Sequence, residues 1–225
     1  MIGLSGGYVR LTTESDRESN DSVDVDLYQI TGYAAKIIEG WEVSGQASYA
    51  FGEAETQRFA FERITGEYDV DALTFEGHVR KAFDFDGNNY AAPYVGLRYS
   101  AIGTDAYTED GGLDISIDDT DENYLQGQAG LTVGHRIIKA DTAADIFLGL
   151  GLVNEFNDGS TALDIAFADQ ALTLNTAEVD DLRFNPSVGF NWSSNQGVAV
   201  GAVGEAEFGD TYSAYSLSGR IKFSF

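Results

Sequence analysis

The chain has 225 residues, and its 26 glycines, 14 phenylalanines and 12 tyrosines against only two prolines favour many strands joined by tight turns. Zero cysteines exclude a disulfide framework and a thiolate metal site, and 37 acidic against 13 basic residues argue against a nucleic-acid partner. No run approaches the roughly 18 to 20 apolar residues of a transmembrane helix, so the sequence excludes a helical membrane protein.

Period-two alternation of apolar and polar side chains predicts about ten strands. They lie near residues 2-13, 23-38, 41-57, 68-83, 90-105, 123-138, 143-156, 180-193, 197-209 and 211-225. Most reach the nine to eleven or so residues of a tilted membrane strand, whereas soluble strands average about five or six. We therefore predict an all-β fold, a single transmembrane antiparallel up-and-down β-barrel domain.

Several strands show two distinct faces in chain order. The third sets Trp41, Val43 and Phe51 against polar neighbours, and the fifth, sixth and eighth repeat the pattern. The last strand is the clearest, because its apolar face runs without interruption to a terminal aromatic residue. That face consists of Tyr215, Leu217, Gly219, Ile221, Phe223 and Phe225. Such strands suit a wall with lipid on one side and a polar lumen on the other.

The connections alternate between short and long. Short ones fall at 39-40, 84-89, 139-142 and 194-196, while long polar ones fall at 14-22, 58-67, 106-122 and 157-179. The long segments hold the densest acidic runs, so we expect solvated loops there. Short turns on one rim are typical of the periplasmic side of an outer-membrane barrel, and an even strand number places both chain ends on that rim.

Charged side chains fall on the predicted lumen face of many strands. The residues predicted to face the lumen are Glu76, Arg80, Arg98, Arg136, Arg183, Glu205, Glu207, Arg220 and Lys222, with Glu42 and Glu155 on the same faces. One interpretation is a barrel stiffened by paired charges across strands. The other is a polar track for a polypeptide or plug segment in the pore, and both can hold together.

A soluble lipocalin-like barrel or sandwich remains possible on alternation alone. It would bury Phe, Trp and Leu and leave the basic residues outside, because unpaired charge is very costly in a dry interior. Strand length and the aromatic last strand favour the membrane barrel over this alternative.

Two neighbouring segments carry a family resemblance. Pro93-Tyr-Val-Gly-Leu-Arg-Tyr-Ser100, followed by Asp105-Ala-Tyr-Thr-Glu-Asp-Gly-Gly112, resembles the central signature of autotransporter β-domains. Val25 to Ile30, Trp41 to Gly45, Gln126 to Gly134 and the terminal strand are similar in order and spacing. The resemblance covers nearly the whole chain.

The resemblance implies type V secretion across the outer membrane of a Gram-negative bacterium. An N-terminal passenger would cross with help from a twelve-stranded barrel that also anchors it and holds a short helix in its lumen. The implied partners are the barrel-assembly machinery, outer-membrane lipid and lipopolysaccharide, and the protein's own passenger. The apolar residues of the terminal strand would be the assembly signal, although Gly219 stands one position before the expected glycine.

The resemblance also bears on the extent of the domain. Aligned by its strands, the chain starts at what resembles the family's third strand, with no lumen helix evident. An open sheet would leave two hydrogen-bonding edges in lipid, which is very unfavourable. We expect residues 1-225 to be an N-terminally truncated fragment of a longer protein, the alternative being ten strands that close into a narrower barrel.

Two other functions compete with secretion. A passive porin or structural barrel would share the wall but have no passenger. An omptin-like protease needs acidic and histidine residues above the membrane, whereas His78 and His135 fall within strands near the other rim. We predict no enzyme activity and no cofactor. The run 118-123 offers oxygen ligands but lacks the spacing of a calcium loop, so we predict no metal site.

Overall fold

The structure is a computed structural model that describes residues 1–14, 21–59, 62–111, 115–156, 162–167, 170–175, 182–210 and 213–223. It consists of strands and turns. The strands are β1 Ile2–Glu14, β2 Ser22–Ile38, β3 Trp41–Phe59, β4 Arg63–Lys81, β5 Phe83–Asp84, β6 Asn89–Thr104, β7 Tyr107–Thr108, β8 Ser116–Ile117, β9 Thr120–Ile138, β10 Thr142–Glu155, β11 Ala162–Phe167, β12 Gln170–Asn175, β13 Leu182–Ser194, β14 Val198–Phe208 and β15 Ser213–Phe223. In these residues there is no helix whose length and apolar character would let it cross a membrane.

Ten long strands form one curled antiparallel sheet. Its order is β1-β2-β3-β4-β6-β9-β10-β13-β14-β15, with the short β5 paired to β6. Each long strand therefore lies beside the next long strand in the chain, which confirms the predicted up-and-down all-β fold. Within the described residues, β1 pairs with β2 and β15 pairs with β14, so these two strands are the edges of the sheet.

The outer face of the sheet is apolar over a limited height. On β3, Trp41 and Phe51 are 44% and 43% exposed, and the outward positions between them are uncharged. The stretch from Trp41 to Phe51 matches the roughly nine to eleven residues of a tilted transmembrane strand. Beyond Phe51, the next outward residues are Glu53 and Glu55. The charge change marks the upper limit of the apolar belt.

Aromatic rings line that upper limit. Tyr8, Tyr28 and Phe51 are register partners on β1, β2 and β3, with ring centroids 5.4 Å and 6.1 Å apart. Rings at this height form the aromatic girdle that flanks the apolar band of membrane barrels. The outer face thus fits a membrane in both height and composition.

The inner face carries small polar side chains between strands. The Thr31 and Ser48 hydroxyls lie 2.9 Å apart, and those of Thr74 and Ser100 lie 3.2 Å apart. Such contacts join neighbouring strands on a wet face, where the hydroxyls would otherwise bond to water.

The short-turn rim, formed by turns 39–40, 85–88, 139–141 and 195–197, is built from tight connections. Glu39 and Gly40 have φ angles of 51° and 80°, as a two-residue type I′ hairpin requires. The start of β1 lies here, where the Met1 amine donates to Ala35 O at 2.7 Å, and so does the end of β15. Both ends of the described sheet therefore lie at the rim where the sequence predicts them.

Lysine is confined to this rim. The sequence holds Lys36, Lys81, Lys139 and Lys222, and each lies within a few residues of a short turn or of the end of β15. Lys81 Nζ lies 5.0 Å from the Trp41 ring centroid and 5.5 Å from that of Phe83, both within cation–π range. The amine therefore lies among aromatic side chains at the membrane boundary.

At the opposite, long-loop rim, the prediction of solvated loops was wrong for several regions, because they form strands. Region 58-67 is mostly strand, because β3 continues to Phe59 and β4 starts at Arg63 with residues 59 and 63 paired. Regions 106-122 and 157-179 contribute β7, β8, β11 and β12 to a second sheet of order β12-β11-β8-β7. Pairing between different loops produces this sheet, so local alternation does not reveal it. The stretch between β1 and β2 lies largely outside the described residues.

Candidate functional site

The charged side chains of the inner face lie on alternate positions of paired strands. Glu76 on β4 is the register partner of Arg98 on β6, and Arg98 is the partner of Gln126 on β9. Because side chains alternate across a strand, neighbouring register partners point to the same face. The register therefore brings acidic, basic and amide groups together on one wall.

Glu76 is the hub of the first half of a central cluster. Its carboxylate accepts hydrogen bonds from Arg98 Nε at 3.0 Å, Arg98 Nη2 at 2.9 Å and Gln46 Nε2 at 3.0 Å, and it contacts His78 Nε2. Gln128 Nε2 lies 3.2 Å from His78 Nε2. The Glu76 side chain is only 9% exposed, so these partners replace the water that its charge has lost.

Arg183 is the hub of the second half. Arg183 Nε lies 2.8 Å from Glu207 Oε1, and Arg183 Nη2 lies 3.7 Å from Glu155 Oε2. Glu155 also accepts a hydrogen bond from Gln126 Nε2 at 2.7 Å. The side chains of Arg183 and Glu155 are 4% and 2% exposed, so this pair lies in the driest part of the inner wall.

A cavity of about 310 Å³ joins the two halves of the central cluster. Its charged lining is Glu76, Arg98, Glu205 and Glu207. Glu205 forms no hydrogen bond or ion pair with any other residue that the structure describes. The central cluster is thus a polar site with one carboxylate still open to a ligand.

A second group, the mouth cluster, lies at the short-turn rim. Arg136 Nη1 bonds to Asp84 Oδ1 at 2.9 Å, and Arg80 Nη1 lies 3.9 Å from Glu42 Oε2. Both guanidiniums face the Tyr90 ring, at 4.4 Å for Arg136 and 5.9 Å for Arg80. The full cluster is Glu42, Arg80, Asp84, Tyr90, Arg136, Asp145, Arg220 and Lys222.

Tyr90 holds the mouth cluster together. Its hydroxyl donates to Asp145 Oδ2 at 3.0 Å, and the residue is 2% exposed. Arg220 and Lys222 on β15 line a cavity of about 620 Å³ together with Glu42. Neither of these two basic residues forms an ion pair with another described residue. All nine charged residues predicted to face the lumen therefore lie in one cluster or the other.

The predicted assembly residues lie on the outer face of the edge strand β15. Tyr215, Leu217, Ile221 and Phe223 are 74%, 85%, 66% and 66% exposed, and Gly219 lies on the same face. The Tyr215 ring packs edge-on against Phe208 of β14, with centroids 5.8 Å apart. Phe225 lies outside the described residues.

A packed contact at the long-loop rim was not predicted from the sequence. Arg58 Nε and Nη2 donate to the Glu109 carboxylate at 2.9 Å and 2.5 Å, and Glu109 is 6% exposed. Beside this pair the Tyr68 and Tyr107 rings stack 4.6 Å apart, and burial raises the pKa of both hydroxyls. Backbone hydrogen bonds between Thr65 and Asp110, 2.8 Å and 3.2 Å long, complete what we call the rim lock.

The rim lock includes residues from the second of the two segments that carry the family resemblance. Tyr107, Glu109 and Asp110 belong to the segment 105-112 that follows the Pro93–Ser100 strand. Arg58 and Glu109 are 51 positions apart, so no local pattern pairs them. The one available signal was the inward position of Arg58 in the β3 alternation.

Comparison with known proteins identifies the family. The sequence model of the autotransporter β-domain matches residues 1–205. The chain belongs to this family. Among curated proteins, none matches this autotransporter β-domain at a significant level.

Two solved translocator structures share the fold of this autotransporter β-domain. The translocator domain of autotransporter NalP from Neisseria meningitidis has a TM-score of 0.75 and 15% identity, over 100% of this chain and 82% of that one. The β-domain of the Bordetella autotransporter BrkA has a TM-score of 0.69 and 16% identity, over 100% of this chain and 91% of that one. The resemblance drawn from the Pro93–Gly112 signature is therefore confirmed.

Family membership indicates which membrane surrounds the apolar belt. Autotransporter β-domains are outer-membrane barrels of Gram-negative bacteria, so the band from Trp41 to Phe51 lies in that membrane. The family belongs to the type V secretion pathway, and its members are transport barrels.

The two histidines of this autotransporter β-domain lie away from the long-loop rim. His78 contacts Glu76 and Gln128 in the central cluster, whereas His135 Nδ1 lies 2.7 Å from Asn89 Oδ1 at the short-turn rim. Neither position builds the acid–histidine pair that an omptin-like protease would hold above the membrane. Across the described ranges, no group of three or more His, Cys, Asp or Glu side chains is arranged to hold a metal ion.

Proposed function

We propose that this autotransporter β-domain supports secretion of an N-terminal passenger across the outer membrane and anchors that passenger there. The observation that carries the proposal is the charged and polar inner wall behind the apolar belt. The central cluster and the mouth cluster supply hydrogen-bonding groups along the height of the membrane. A polypeptide in transit needs such groups, because unsatisfied backbone is costly in lipid.

The direction of β1 supports the same proposal. β1 starts at the short-turn rim, close to Ala35, and runs toward the long-loop rim. A polypeptide joined to the amino end of β1 therefore reaches the inner wall from the side of the mouth cluster. Its first contacts would be with Glu42, Arg220 and Lys222, which line the cavity at that end.

The outer surface supports proposals about partners. The apolar side chains of Leu217, Ile221 and Phe223 stand free on the edge strand, which suits recognition by the barrel-assembly machinery. Above the belt, the outward carboxylates Glu53 and Glu55 support the proposal that lipopolysaccharide headgroups contact this level through divalent cations. We propose no catalytic role for the domain, since the members of its family are transport barrels.

The test is a fusion of a signal peptide, an epitope-tagged passenger and residues 1–225, expressed in a Gram-negative host. We expect the tag to be reached by antibody and by protease on intact cells. The control is the same passenger fused to an unrelated outer-membrane barrel. A folded barrel in the outer membrane, with the tag left in the periplasm at the level of the control, would contradict the proposal and favour a passive porin.

A further inference from the structure

The two inner clusters carry opposite net charge. The central cluster has four carboxylates, Glu76, Glu155, Glu205 and Glu207, against two guanidiniums, those of Arg98 and Arg183. The mouth cluster has four basic side chains, Arg80, Arg136, Arg220 and Lys222, against three carboxylates, those of Glu42, Asp84 and Asp145. The wall is therefore negative at its centre and positive at the short-turn mouth.

Three charged side chains of the two clusters are both exposed and unpaired among the described residues. Glu205 in the central cluster, and Arg220 and Lys222 in the mouth cluster, are exposed and have no ionic partner among the described residues. The other charges in both clusters are engaged with neighbours on adjacent strands. Among the described residues, a ligand in the lumen thus meets one unpaired anion at the centre and two unpaired cations at the mouth.

The free charges belong to one continuous space. Glu76 and His78 line both the cavity of about 310 Å³ at the centre and the cavity of about 620 Å³ at the mouth. On β1, β2 and the membrane part of β3, the inward positions above Glu42 are uncharged. One side of the lumen is therefore neutral, and the other presents the charge gradient.

We propose that the lumen selects a polypeptide segment by the order of its charges. The preferred segment has acidic side chains at the mouth, against Arg220 and Lys222, and a basic side chain deeper in, against Glu205. This inference rests on the proposed translocator function. For a segment that enters the lumen at the short-turn rim and whose carboxyl end joins the wall there, the order is fixed: the acidic residues come last, nearest the wall, and the basic residue precedes them.

The test uses the absence of cysteine in the chain. Two segments of identical composition and opposite charge order are inserted between the tagged passenger and Ile2, each with one cysteine beside its basic residue. Val203→Cys, an inward position adjacent to Glu205 on β14, is the acceptor. Disulfide formation is then measured in folded protein, and heat-modifiable migration on gels identifies the folded fraction of every variant.

We expect the order with acidic residues next to β1 to crosslink about tenfold more than the reversed order, as a few partly screened ion pairs would give. Glu205→Gln should remove most of the preference. A triple swap, Glu205→Lys with Arg220→Glu and Lys222→Glu, should transfer it to the reversed segment. Ser216→Ala, an uncharged change on the same face of β15, is the control and should leave the preference unchanged.

The outcomes separate the two proposals. Equal crosslinking of both orders, with the tag still displayed on cells, overturns the charge-order inference and leaves the translocator function standing. No crosslinking of either order together with no display overturns the translocator function itself. A preference that survives the triple swap unchanged also overturns the inference, because the order would then be set by something other than these three residues.

Discussion

The two rims of the sheet are built on different principles. The short-turn rim is made of local connections, such as the Glu39-Gly40 hairpin, whose backbone angles follow from two adjacent residues. The long-loop rim is made of contacts between distant segments, above all Arg58 with Glu109. A mutation at the short-turn rim should therefore change only its own turn. A mutation at the long-loop rim should also change the structure of the distant segment that it contacts.

The largest effect is expected at the rim lock. Arg58→Ala leaves the Glu109 carboxylate buried without its guanidinium partner, which costs about 2–3 kcal/mol for a pair whose Arg is partly exposed. Segment 105–111 should then detach from β4 while the membrane part of the sheet stays folded. Chymotrypsin cleavage after Tyr107 in detergent-folded protein measures this directly.

Arg63→Ala is the matched control, because Arg63 is an exposed residue of the same hairpin that contacts Gln57. Chymotrypsin should cleave the Arg63→Ala variant after Tyr107 at the wild-type rate. Equal cleavage of both variants would show that the rim lock does not depend on the buried ion pair.

The second effect tests packing at the same rim. A Cβ at Gly66 would lie 2.6 Å from a carbon of the Tyr107 ring, so Gly66→Val must push Tyr107 off Tyr68. Overpacking of this kind costs about 1–3 kcal/mol. Urea unfolding, monitored by tryptophan fluorescence, measures the loss in free energy of unfolding. Gly7→Val, where nothing lies within 4 Å of the added Cβ, should unfold at the wild-type urea concentration.

The third effect belongs to the short-turn rim. Gly40→Ala places a Cβ on a backbone with φ of 80°, which costs about 1 kcal/mol. Glu39→Asn at φ of 51° should instead stabilise the hairpin by about 0.5 kcal/mol, since Asn tolerates this conformation better. Opposite shifts of the urea midpoint are expected, and shifts of the same sign would contradict the type I′ assignment.

The smallest effect is the pH response of the 85–88 turn. The Asp86 carboxylate accepts N–H groups from Asn89 at 2.8 Å and Asn88 at 3.2 Å, and these bonds hold its pKa below the ordinary value of 3.8. A lowered pKa in the folded state stabilises the turn above 3.8, and this contribution is lost as the pH falls through the folded value. Carbon-detected NMR titration of the carboxyl checks the direction, and a midpoint above 3.8 would contradict it.

The wall was predictable from sequence because the alternation of apolar and polar residues within each strand predicts its outer and inner faces. Trp41 to Phe51, the Pro93–Ser100 strand and β15 all follow a period of two, and the alternation of short and long connections predicted the up-and-down order of the strands. The rim lock was not predictable in the same way, since it depends on segment 105–111 folding back onto β4. The expectation of a loop at 58-67 was wrong because β3 and β4 stay paired as far as residues 59 and 63, well beyond the apolar belt.

The candidate site was predictable in part. Alternation alone places Glu205 and Glu207 on the inner face, yet only Glu207 reaches Arg183. The stagger between β13 and β14 decides which of the two carboxylates is paired, and turn chemistry does not specify that stagger. The assembly role of β15 and the truncation of the domain stay predictions.

Because all four lysines lie at the short-turn rim, amine-reactive chemistry can distinguish the two rims of the barrel. Primary amines of Lys36, Lys81, Lys139 and Lys222 lie at the short-turn rim, whereas Arg10, Arg58 and Arg63 supply the described positive charge of the long-loop rim. A membrane-impermeant amine reagent applied to intact cells should therefore leave the barrel lysines unmodified when the long-loop rim faces outward. After the outer membrane is opened, the same reagent should modify them, so one mass measurement before and after reports the orientation of every molecule in the population.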